Sequence, residues 1–396
     1  MNEKTRNFLV NRFQAYYSQA EIHLPPEHIS REWGFIPFSD SSETFMKRHI
    51  AFGSEGEIKD YLKGIAPGHA YYSVAYYEYP SAPKMKEKNW QKADLIFDID
   101  SDHLPGKITS YADMLEKGKK ETFKLMEFLL DDFGFAEKDV HIVFSGGRGY
   151  HCHITDPSVL HLESPERREI VDYVSAKGID LERILDTKEV SGDAGRESAQ
   201  MMVFPSEAEG GWKGRINRYF VSFMKEIVAR DDAEEMLRGF KGVGEKTARQ
   251  IIEVFRDEAQ VEVLKKGNID VLSAVNKKII NALIEEGIKK MSAVVDEPVT
   301  ADIKRLIRLP GSLHGGSGMK VMSLTIDELE KFEPLRDAVV FGERLVKLKV
   351  IKPFAVQMKE KDIEVEPGEQ ELPEYAAVHL LCRDVAEYGH DRIPRI

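Results

Sequence analysis

The amino-acid sequence predicts an α/β fold, and neighbouring segments in the first half of the chain carry that prediction. Residues 94–100 are typical of a buried β-strand that ends in carboxylates. Residues 110–133 place apolar side chains at the three-to-four spacing of a helix packed on a sheet. Residues 140–144 and 150–154 are typical of two strands joined by a glycine-rich turn. Strand, helix and strand in this order favour a sheet covered by helices over a helical bundle or a β-sandwich.

The segments before residue 94 also predict regular secondary structure. Residues 4–20 have the apolar periodicity of an amphipathic helix, which must end before Pro25 and Pro26. Residues 71–79 are rich in tyrosine and other strand formers and predict a strand that Pro80 ends. These elements add a helix and further strand material to the same sheet domain.

The second half of the chain predicts a change of architecture. Residues 216–289 are nearly continuous helix formers, so we predict an all-helical insertion there. Strand character returns afterwards, which makes the sheet domain discontinuous over residues 1–215 and 290–352. The acidic, proline-punctuated stretch that opens residues 353–396 predicts a linker, and a short C-terminal helix follows it.

Composition narrows the function classes. The 396 residues carry a net charge of −12, which argues against a protein that coats nucleic acid with its whole surface but leaves room for a local basic groove. Cys152 and Cys382 are the only cysteines, so a disulfide framework and a cysteine-rich zinc cluster are excluded. The charged N-terminus and the lack of an apolar run long enough to cross a bilayer predict a cytoplasmic protein with no membrane contact.

The acidic strand is the first candidate for chemistry. Because side chains alternate along a strand, Asp98 and Asp100 share one face while Phe97 and Ile99 share the other. Two carboxylates held this close repel unless a cation lies between them, and a divalent cation with oxygen ligands is the usual solution. The alternative is a strand end whose acids are simply solvated.

The glycine-rich turn at residues 145–151 is the second candidate. Its glycines allow a ligand to approach the backbone, Ser145 offers a hydroxyl, and Arg148 and His151 offer nitrogen donors. An arginine can bind a phosphate through two parallel hydrogen bonds. The segment lacks the ending of a Walker loop, and a plain hairpin turn that carries an arginine is the alternative.

A third stretch, residues 296–320, combines an acid with a series of bases. Asp296 is followed by Arg305, Arg308 and His314. An exposed basic strand edge would also explain this pattern. Together with the first two candidates, however, it supplies what two-metal phosphoryl or nucleotidyl transfer requires: carboxylates for the ions and cations for a triphosphate.

These three stretches resemble one known family. Phe97–Asp100, Ser145–His151 and Arg305–Gly315, in this order and spacing, are similar to the catalytic small subunit of the archaeal and eukaryotic type of DNA primase. The resemblance implies a primase-type mixed-sheet α/β catalytic domain flanked by helices. It also implies a nucleotidyltransferase that makes short primers de novo on a template during DNA replication.

The resemblance also implies roles for individual residues. Asp98, Asp100 and Asp296 correspond to the acids that hold two Mg²⁺ or Mn²⁺ ions, with Asp302 as a competitor for the third position. The residues that correspond to the phosphate-binding set for the incoming nucleotide are Ser145, Arg148, His151, Arg308 and His314. Glu32 and Arg48 correspond to positions near the nucleotide sugar or the initiating nucleotide.

Further expectations concern partners and zinc. The family implies a single-stranded DNA template, nucleoside triphosphates and a heterodimer with a large iron–sulfur subunit. Many relatives carry a zinc knuckle between the acidic strand and the glycine turn, but residues 101–144 contain no cysteine here. Because structural zinc needs four nitrogen or sulfur ligands, we predict that no zinc is bound there and that Cys152 packs in the core.

One segment of the predicted insertion resembles a helix-hairpin-helix DNA-binding element. Gly242 and Gly244 flank a valine, and Lys246 follows at the predicted start of a helix. Backbone amides at such a turn can bind a DNA phosphate without reading the base sequence. The alternative is a structural turn between two helices that happens to use glycines.

Three other functions compete with primer synthesis. A primase-like polymerase of repair or end joining would use the same residues but extend an existing primer. A metal-dependent nuclease would also use clustered acids, yet it leaves Arg148 and Arg308 without a triphosphate to bind. A non-catalytic nucleic-acid-binding subunit would bind DNA whether or not Asp98 is present.

Overall fold

We describe the chain from a computed structural model that covers residues 1–39, 45–184, 187–190, 199–202, 204–272, 275 and 277–389. The α-helices are α1 Glu3–Tyr17, α2 Glu55–Ile65, α3 Tyr111–Glu127, α4 Ser164–Val174, α5 Leu181–Ile184, α6 Gly211–Val228, α7 Ala233–Arg238, α8 Glu245–Arg256, α9 Glu258–Lys265, α10 Lys277–Met291, α11 Glu297–Ala301, α12 Ile326–Lys331, α13 Pro334–Asp337 and α14 Glu374–Cys382. The strands are β1 Trp33–Ile36, β2 Lys47–Ile50, β3 His69–Ser73, β4 Ala75–Tyr77, β5 Trp90–Ala93, β6 Leu95–Asp100, β7 Val140–Phe144, β8 Gly149–Ile154, β9 Thr187–Val190, β10 Ala199–Met202, β11 Leu306–Arg308, β12 Met322–Leu324, β13 Leu345–Val350, β14 Phe354–Met358, β15 Lys361–Val365, β16 Gly368–Pro373 and β17 Ala386–Glu387.

The chain forms two compact units. The first consists of Met1–Phe123, Phe135–Val171 and Val294–Ile396, and the second of Lys124–Gly134 and Asp172–Ala293. The helices α6 to α10 all belong to the second unit. The sequence boundary at residue 216 therefore differs from the structure, in which residues 172–215 group with the helices.

The central sheet of the first unit has the order β12-β7-β8-β6, and each neighbouring pair is antiparallel. Because β6 and β7 both lie antiparallel to β8, they run in the same direction on either side of it. The predicted strands at residues 94–100, 140–144 and 150–154 are confirmed. The predicted helix is also confirmed as α3, which continues into a π-helical turn at Phe128–Asp132.

A second sheet of this unit has the order β11-β3-β1-β2. Trp33 and Phe35 of β1 are fully buried and pack against Phe52 and Tyr72. The strand expected over residues 71–79 is interrupted at Val74. Its N–H donates to the Arg305 carbonyl while its carbonyl accepts from Asp94, so the chain changes partners there.

A buried arginine stabilises this crossing point. Arg31 is fully buried and lies 2.8 Å from the Asp94 carboxylate. Its guanidinium also stacks on the Tyr76 ring at 3.4 Å and donates to the carbonyls of Ser73 and Val74. Because a buried charge must be paired and hydrogen-bonded, this set of contacts fixes the start of β6 relative to β3.

The expected linker after residue 352 is wrong. β14 and β15 form a hairpin, and β16 pairs with β13 along its whole length. Val356, Met358, Ile363 and Val365 alternate with exposed polar residues and are buried in the core of the first unit. This period-two alternation builds strands despite the acidic composition. The expected C-terminal helix is confirmed as α14, while residues 390–396 lie outside the described part.

The second unit packs its helices around α6, which contacts α7, α8, α9 and α10. Phe220 and Met224 of α6 are buried there. Arg215 lies 2.8 Å from Asp132 and 4.1 Å above the Phe128 ring, so a buried ion pair ties α6 to the π-helical turn. Across the described residues of both units, no helix combines the length and the apolar character needed to traverse a bilayer.

Candidate active site

The acidic strand presents its carboxylates as the alternation predicts. On β6 Phe97 and Ile99 are fully buried, while the side chains of Asp98 and Asp100 are 21% and 27% exposed. In the register with β8, Asp98 lies opposite His151 and Asp100 lies opposite Gly149. The end of the glycine-rich turn is therefore a direct neighbour of both acids.

Asp296 reaches the same strand from the other side of the sequence. Its backbone N–H donates to the Asp98 carbonyl at 2.9 Å, and the residue is the N-cap of α11. The Asp296 carboxylate is close enough to raise the pKa of Asp98. Asp302, its competitor, ends α11 and accepts a hydrogen bond from the Lys304 N–H at 2.9 Å. The structure thus brings Asp296 to Asp98. The Asp302 carboxylate instead forms a local hydrogen bond within the turn that follows α11.

Both strand carboxyls have raised pKa values. Burial, followed by the charge of Asp296, raises the pKa of Asp98 to about 6. Burial, followed by a hydrogen bond with Asp102, raises the pKa of Asp100 to about 6. Ionised carboxylates crowded in this way are stabilised by an added cation, and their oxygens are the donors that Mg²⁺ and Mn²⁺ prefer. These oxygen donors are of the kind that binds a divalent cation. Within the described part of the chain, the ligand atoms that lie within 4.8 Å of one another belong to Asp100, Asp102 and His103.

The glycine-rich turn is fixed by its own hydroxyl. Ser145 Oγ accepts from the N–H of Gly147 at 3.3 Å and from the N–H of Gly149 at 3.2 Å. Gly146 has a positive φ of 73°, and a Cβ on Gly149 would lie 2.0 Å from the Ile99 carbonyl oxygen. The turn therefore requires glycine at these positions, because β8 approaches β6 too closely for a side chain.

Arg148 lies at the acidic end of β6. Its guanidinium forms a short ion pair with Asp102 and lies 3.8 Å from Asp100 Oδ2. Its side chain is 58% exposed, so it can reach a ligand in solvent. Asp102 was not among the predicted site residues. It continues the every-second-residue spacing of Asp98 and Asp100, which is the signal that could have found it.

His151 sits against Asp98 and is uncharged. Its Nε2 lies 3.4 Å from Asp98 Oδ1, and the side chain is buried. Burial, followed by the charges of Arg308 and Arg305, lowers the pKa of His151 to about 3. At neutral pH this ring is a hydrogen-bonding group and carries no positive charge.

Arg308 and His314 approach the glycine turn from β11 and the loop after it. Arg308 lies opposite Tyr71 in the register of β11 with β3, and its guanidinium stands 5.0 Å above the Tyr71 ring. A Cβ added to Gly147 would lie 2.8 Å from His314 Nε2, which places the His314 ring directly on the turn. Ser317 donates a short hydrogen bond to the Gly146 carbonyl and so ties the loop to the turn.

His69 and Tyr71 are site neighbours that sequence reasoning missed. The Nδ1 of His69 lies 2.7 Å from Arg308 Nη1, and its ring meets the His314 ring edge-on at 4.8 Å. Both residues share one face of β3 because they are two positions apart. That spacing was visible in the sequence, but the pairing of β3 with β11 that gives it meaning was not.

Glu32 and Arg48 form a separate ionic cluster. The Glu32 carboxylate is fully buried, 3.1 Å from Arg48 Nε and 3.7 Å from Lys88 Nζ. It also accepts from the His49 N–H at 3.2 Å. Arg48 is 38% exposed, so only its outer edge faces solvent. The predicted proximity of this pair to a nucleotide sugar stays a prediction.

The hairpin that resembles a DNA-binding element lies in the second unit. Gly242 has a positive φ of 90°, and Gly244 is the N-cap of α8. Gly244 and Lys246 are exposed, while Val243 between the glycines is buried. The turn therefore has the shape that the sequence suggested, and its contact with DNA stays a prediction.

The comparisons with known proteins agree on one family. The sequence model described as DNA primase small subunit matches residues 97–325, a range that contains Asp98, Asp100, the glycine turn, Arg308 and His314. The chain is similar to the DNA primase small subunit PriS of Methanococcoides burtonii, with 61% identity over 389 residues that cover 98% of this chain and 100% of the relative. The corresponding protein of Methanosarcina barkeri is 51% identical and that of Haloarcula marismortui 41% identical, each over 99% of this chain.

The chain belongs to the DNA primase small subunit family. The predicted α/β primase fold and the predicted nucleotidyltransferase activity are confirmed by this membership. As a primase catalytic subunit the chain synthesises primers in DNA replication. The family therefore favours primer synthesis over the nuclease and the non-catalytic alternatives.

Proposed function

We propose that primer synthesis takes place where Asp98, Asp100 and Asp296 face Arg148, Arg308 and the glycine turn. The backbone hydrogen bond from Asp296 to Asp98 is the observation that carries this proposal. It brings an acid from a distant part of the sequence beside Asp98, and the charge of that acid contributes to the raised pKa of Asp98. The raised pKa values of Asp98 and Asp100 support the same site.

We further propose that Asp98, Asp100 and Asp296 hold two Mg²⁺ or Mn²⁺ ions. When bound, the ions would lower the pKa of the attacking 3′-hydroxyl and stabilise charge on the departing pyrophosphate. The acids of the site must be ionised for this role. With pKa values near 6 in the free protein, Asp98 and Asp100 are largely ionised at neutral pH.

The basic residues have distinct tasks in this proposal. Arg148 exchanges its pairing with Asp102 for the oxygens of the incoming triphosphate, which its exposure permits. Arg308 and His314 bind the same phosphates from β11 and its loop, and Arg308 neutralises charge that grows in the transition state. The His151 ring, whose Nε2 lies 3.4 Å from Asp98 Oδ1, packs against that carboxylate and limits its orientation. Ser145 contributes mainly by shaping the turn.

The substrates and partners follow from the family. We propose that the chain uses a single-stranded DNA template and nucleoside triphosphates, and that it works as a heterodimer with a large iron–sulfur subunit. The net charge of −12 supports such a division of labour, because a partner can supply part of the basic surface that binds the template. We also propose a cytoplasmic location, and no bound zinc between the acidic strand and the glycine turn.

Primer synthesis on an unprimed single strand tests the proposal. The assay supplies ribonucleotides or deoxyribonucleotides, with Mg²⁺ or Mn²⁺, to the wild type and to Asp98→Ala, Asp296→Asn and Asp302→Asn. We expect Asp98→Ala and Asp296→Asn to lose synthesis while keeping their fold. Asp302→Asn is the matched control, because its amide oxygen can still accept from the Lys304 N–H.

Two outcomes would count against the proposal. If Asp98→Ala still makes primers, the strand acids are not the catalytic acids. If Asp302→Asn loses activity and Asp296→Asn keeps it, the third ligand is assigned to the wrong residue. Products that appear only when a primer is supplied would favour the repair polymerase instead.

A further inference from the structure

His69, the first residue of β3, lies at the junction between the two groups proposed to bind the triphosphate. Its Nδ1 is 2.7 Å from Nη1 of Arg308 and 3.3 Å from the backbone nitrogen of Gly315. Its ring also meets the ring of His314 edge-on at 4.8 Å. The His69 side chain thus contacts Arg308, the His314 ring and the backbone of the residue that follows His314.

The hydrogen bonds of His69 define its protonation state. An arginine guanidinium can only donate, and a backbone N–H can only donate. Nδ1 must therefore accept from both Arg308 and Gly315, and the ring proton must sit on Nε2. Burial, followed by the charge of Arg308, lowers the pKa of His69 to about 3, which agrees with a neutral ring.

The strand register shows why this contact matters for Arg308. Arg308 lies opposite Tyr71 on the neighbouring strand, and its guanidinium stands over the Tyr71 ring at 5.0 Å while reaching back to His69. A long arginine side chain loses rotamer entropy when it is held in one place. The ring below it and the acceptor at its end keep it in that place before a nucleotide arrives.

The chemical type of the acceptor is as important as its position. A carboxylate in the place of His69 would pair with Arg308 and compete with phosphate for its charge. A neutral imidazole nitrogen satisfies one N–H of the guanidinium and leaves its positive charge for the ligand. The same ring keeps His314 beside the glycine turn without adding a second cation.

We propose that His69 is a positioning residue for nucleotide binding, which uses its neutral Nδ1 to orient Arg308 and its ring to hold His314. The inference rests on the proposed function, in which Arg308 and His314 bind the triphosphate. His69 itself does not have to touch the nucleotide. Its effect on the reaction is transmitted through the two groups that it holds.

The test compares substitutions that keep different parts of the imidazole. In His69→Asn the amide oxygen can take the place of Nδ1, whereas in His69→Gln the amide reaches the place of Nε2. His69→Phe keeps a ring and removes the acceptor. The readouts are KM for nucleoside triphosphate and kcat on an unprimed template, with thermal melting to confirm that each variant is folded.

We expect His69→Phe and His69→Gln to raise KM about tenfold, as the loss of one hydrogen bond to a charged group predicts. His69→Asn should stay within about threefold of the wild type, because it restores the acceptor. A merely structural role would not distinguish Asn from Gln. Equal KM values for Asn and Gln, or a wild-type KM in His69→Phe, would overturn the inference.

A double-substitution cycle with Arg308→Ala separates this inference from the proposed function. Arg308→Ala alone should raise KM, and adding His69→Phe should raise it little further, because the group that His69 orients is gone. If Arg308→Ala leaves KM unchanged, the proposed role of Arg308 fails. If Arg308→Ala raises KM but the effect of His69→Phe multiplies with it, Arg308 keeps its role and His69 does not act through it.

Discussion

Replacing Asp98 with asparagine should destroy primer synthesis and at the same time stabilise the metal-free protein. Asp98 is largely buried and its pKa is raised to about 6 by burial and by the neighbouring Asp296. Its folded-state carboxyl therefore holds a proton more tightly than the carboxyl of the unfolded chain. Ionising it in the folded protein costs folding free energy, and asparagine removes that cost while keeping the shape of the side chain.

The size of the effect follows from the two pKa values. A carboxyl whose pKa rises from about 4 in the unfolded chain to about 6 in the folded protein costs about 2 to 3 kcal/mol of folding free energy at pH 8. The cost is fully present above about pH 7 and shrinks as the pH falls through 6. It is small near pH 4 and disappears below about pH 3, where the carboxyl is protonated in both states.

Thermal melting in the presence of a chelator measures this difference. At pH 8 we expect Asp98→Asn to melt about 3 °C above the wild type, and at pH 4.5 we expect the gap to be mostly closed. Asp302→Asn serves as the matched control and should show no gain. Adding Mn²⁺ should then stabilise the wild type and leave Asp98→Asn unchanged. A melting difference that is absent at pH 8, or that does not change with pH, would refute the reasoning.

The remaining predictions concern the metal, the turn and the hairpin. Both strand carboxyls have pKa values near 6, so lowering the pH from 7 to 5 should weaken Mn²⁺ binding about hundredfold. The electron paramagnetic resonance signal of free Mn²⁺ measures this affinity, and equal affinity at both pH values would contradict the prediction. Gly149→Ala should lower the free energy of unfolding by more than about 3 kcal/mol in chemical denaturation, because its Cβ would lie 2.0 Å from the Ile99 carbonyl oxygen. Gly64→Ala, where a Cβ meets nothing within 4 Å, is its control and should be tolerated. Gly244→Phe should fold normally and weaken binding of single-stranded DNA in fluorescence anisotropy; unchanged affinity would exclude a contact at that turn.

The local features of the site could be predicted from the sequence because they depend on short-range periodicity. The alternation of side chains along residues 94–100 places Asp98 and Asp100 on one face, and the structure has them there. The proximity of Asp296 has a different origin. It depends on a backbone contact between residues 198 positions apart, and only the family motif pointed to it.

The features that we did not predict from the sequence depend on strand pairing, or on an alternation of apolar residues that the acidic composition obscured. His69 gains its meaning from the antiparallel register of β3 with β11, which no local pattern encodes. After residue 352 the acidic composition suggested a linker and masked the alternating apolar residues that build β14 and β15. Composition describes the exposed face of such strands, whereas folding depends on the buried face.

The charges of the site explain why its histidines are neutral. Burial, followed by the charge of Arg308, lowers the pKa of His151, His69 and His314 well below the usual range. If these rings were protonated, they would add positive charge beside Asp98 and compete with metal ions for its carboxylate. If they were carboxylates, they would pair with Arg308 and compete with phosphate. Of these rings, His151 lies 3.4 Å from Asp98 and His69 accepts from Arg308. Because the rings are neutral, the acids retain their charge for cations and Arg308 retains its charge for a triphosphate.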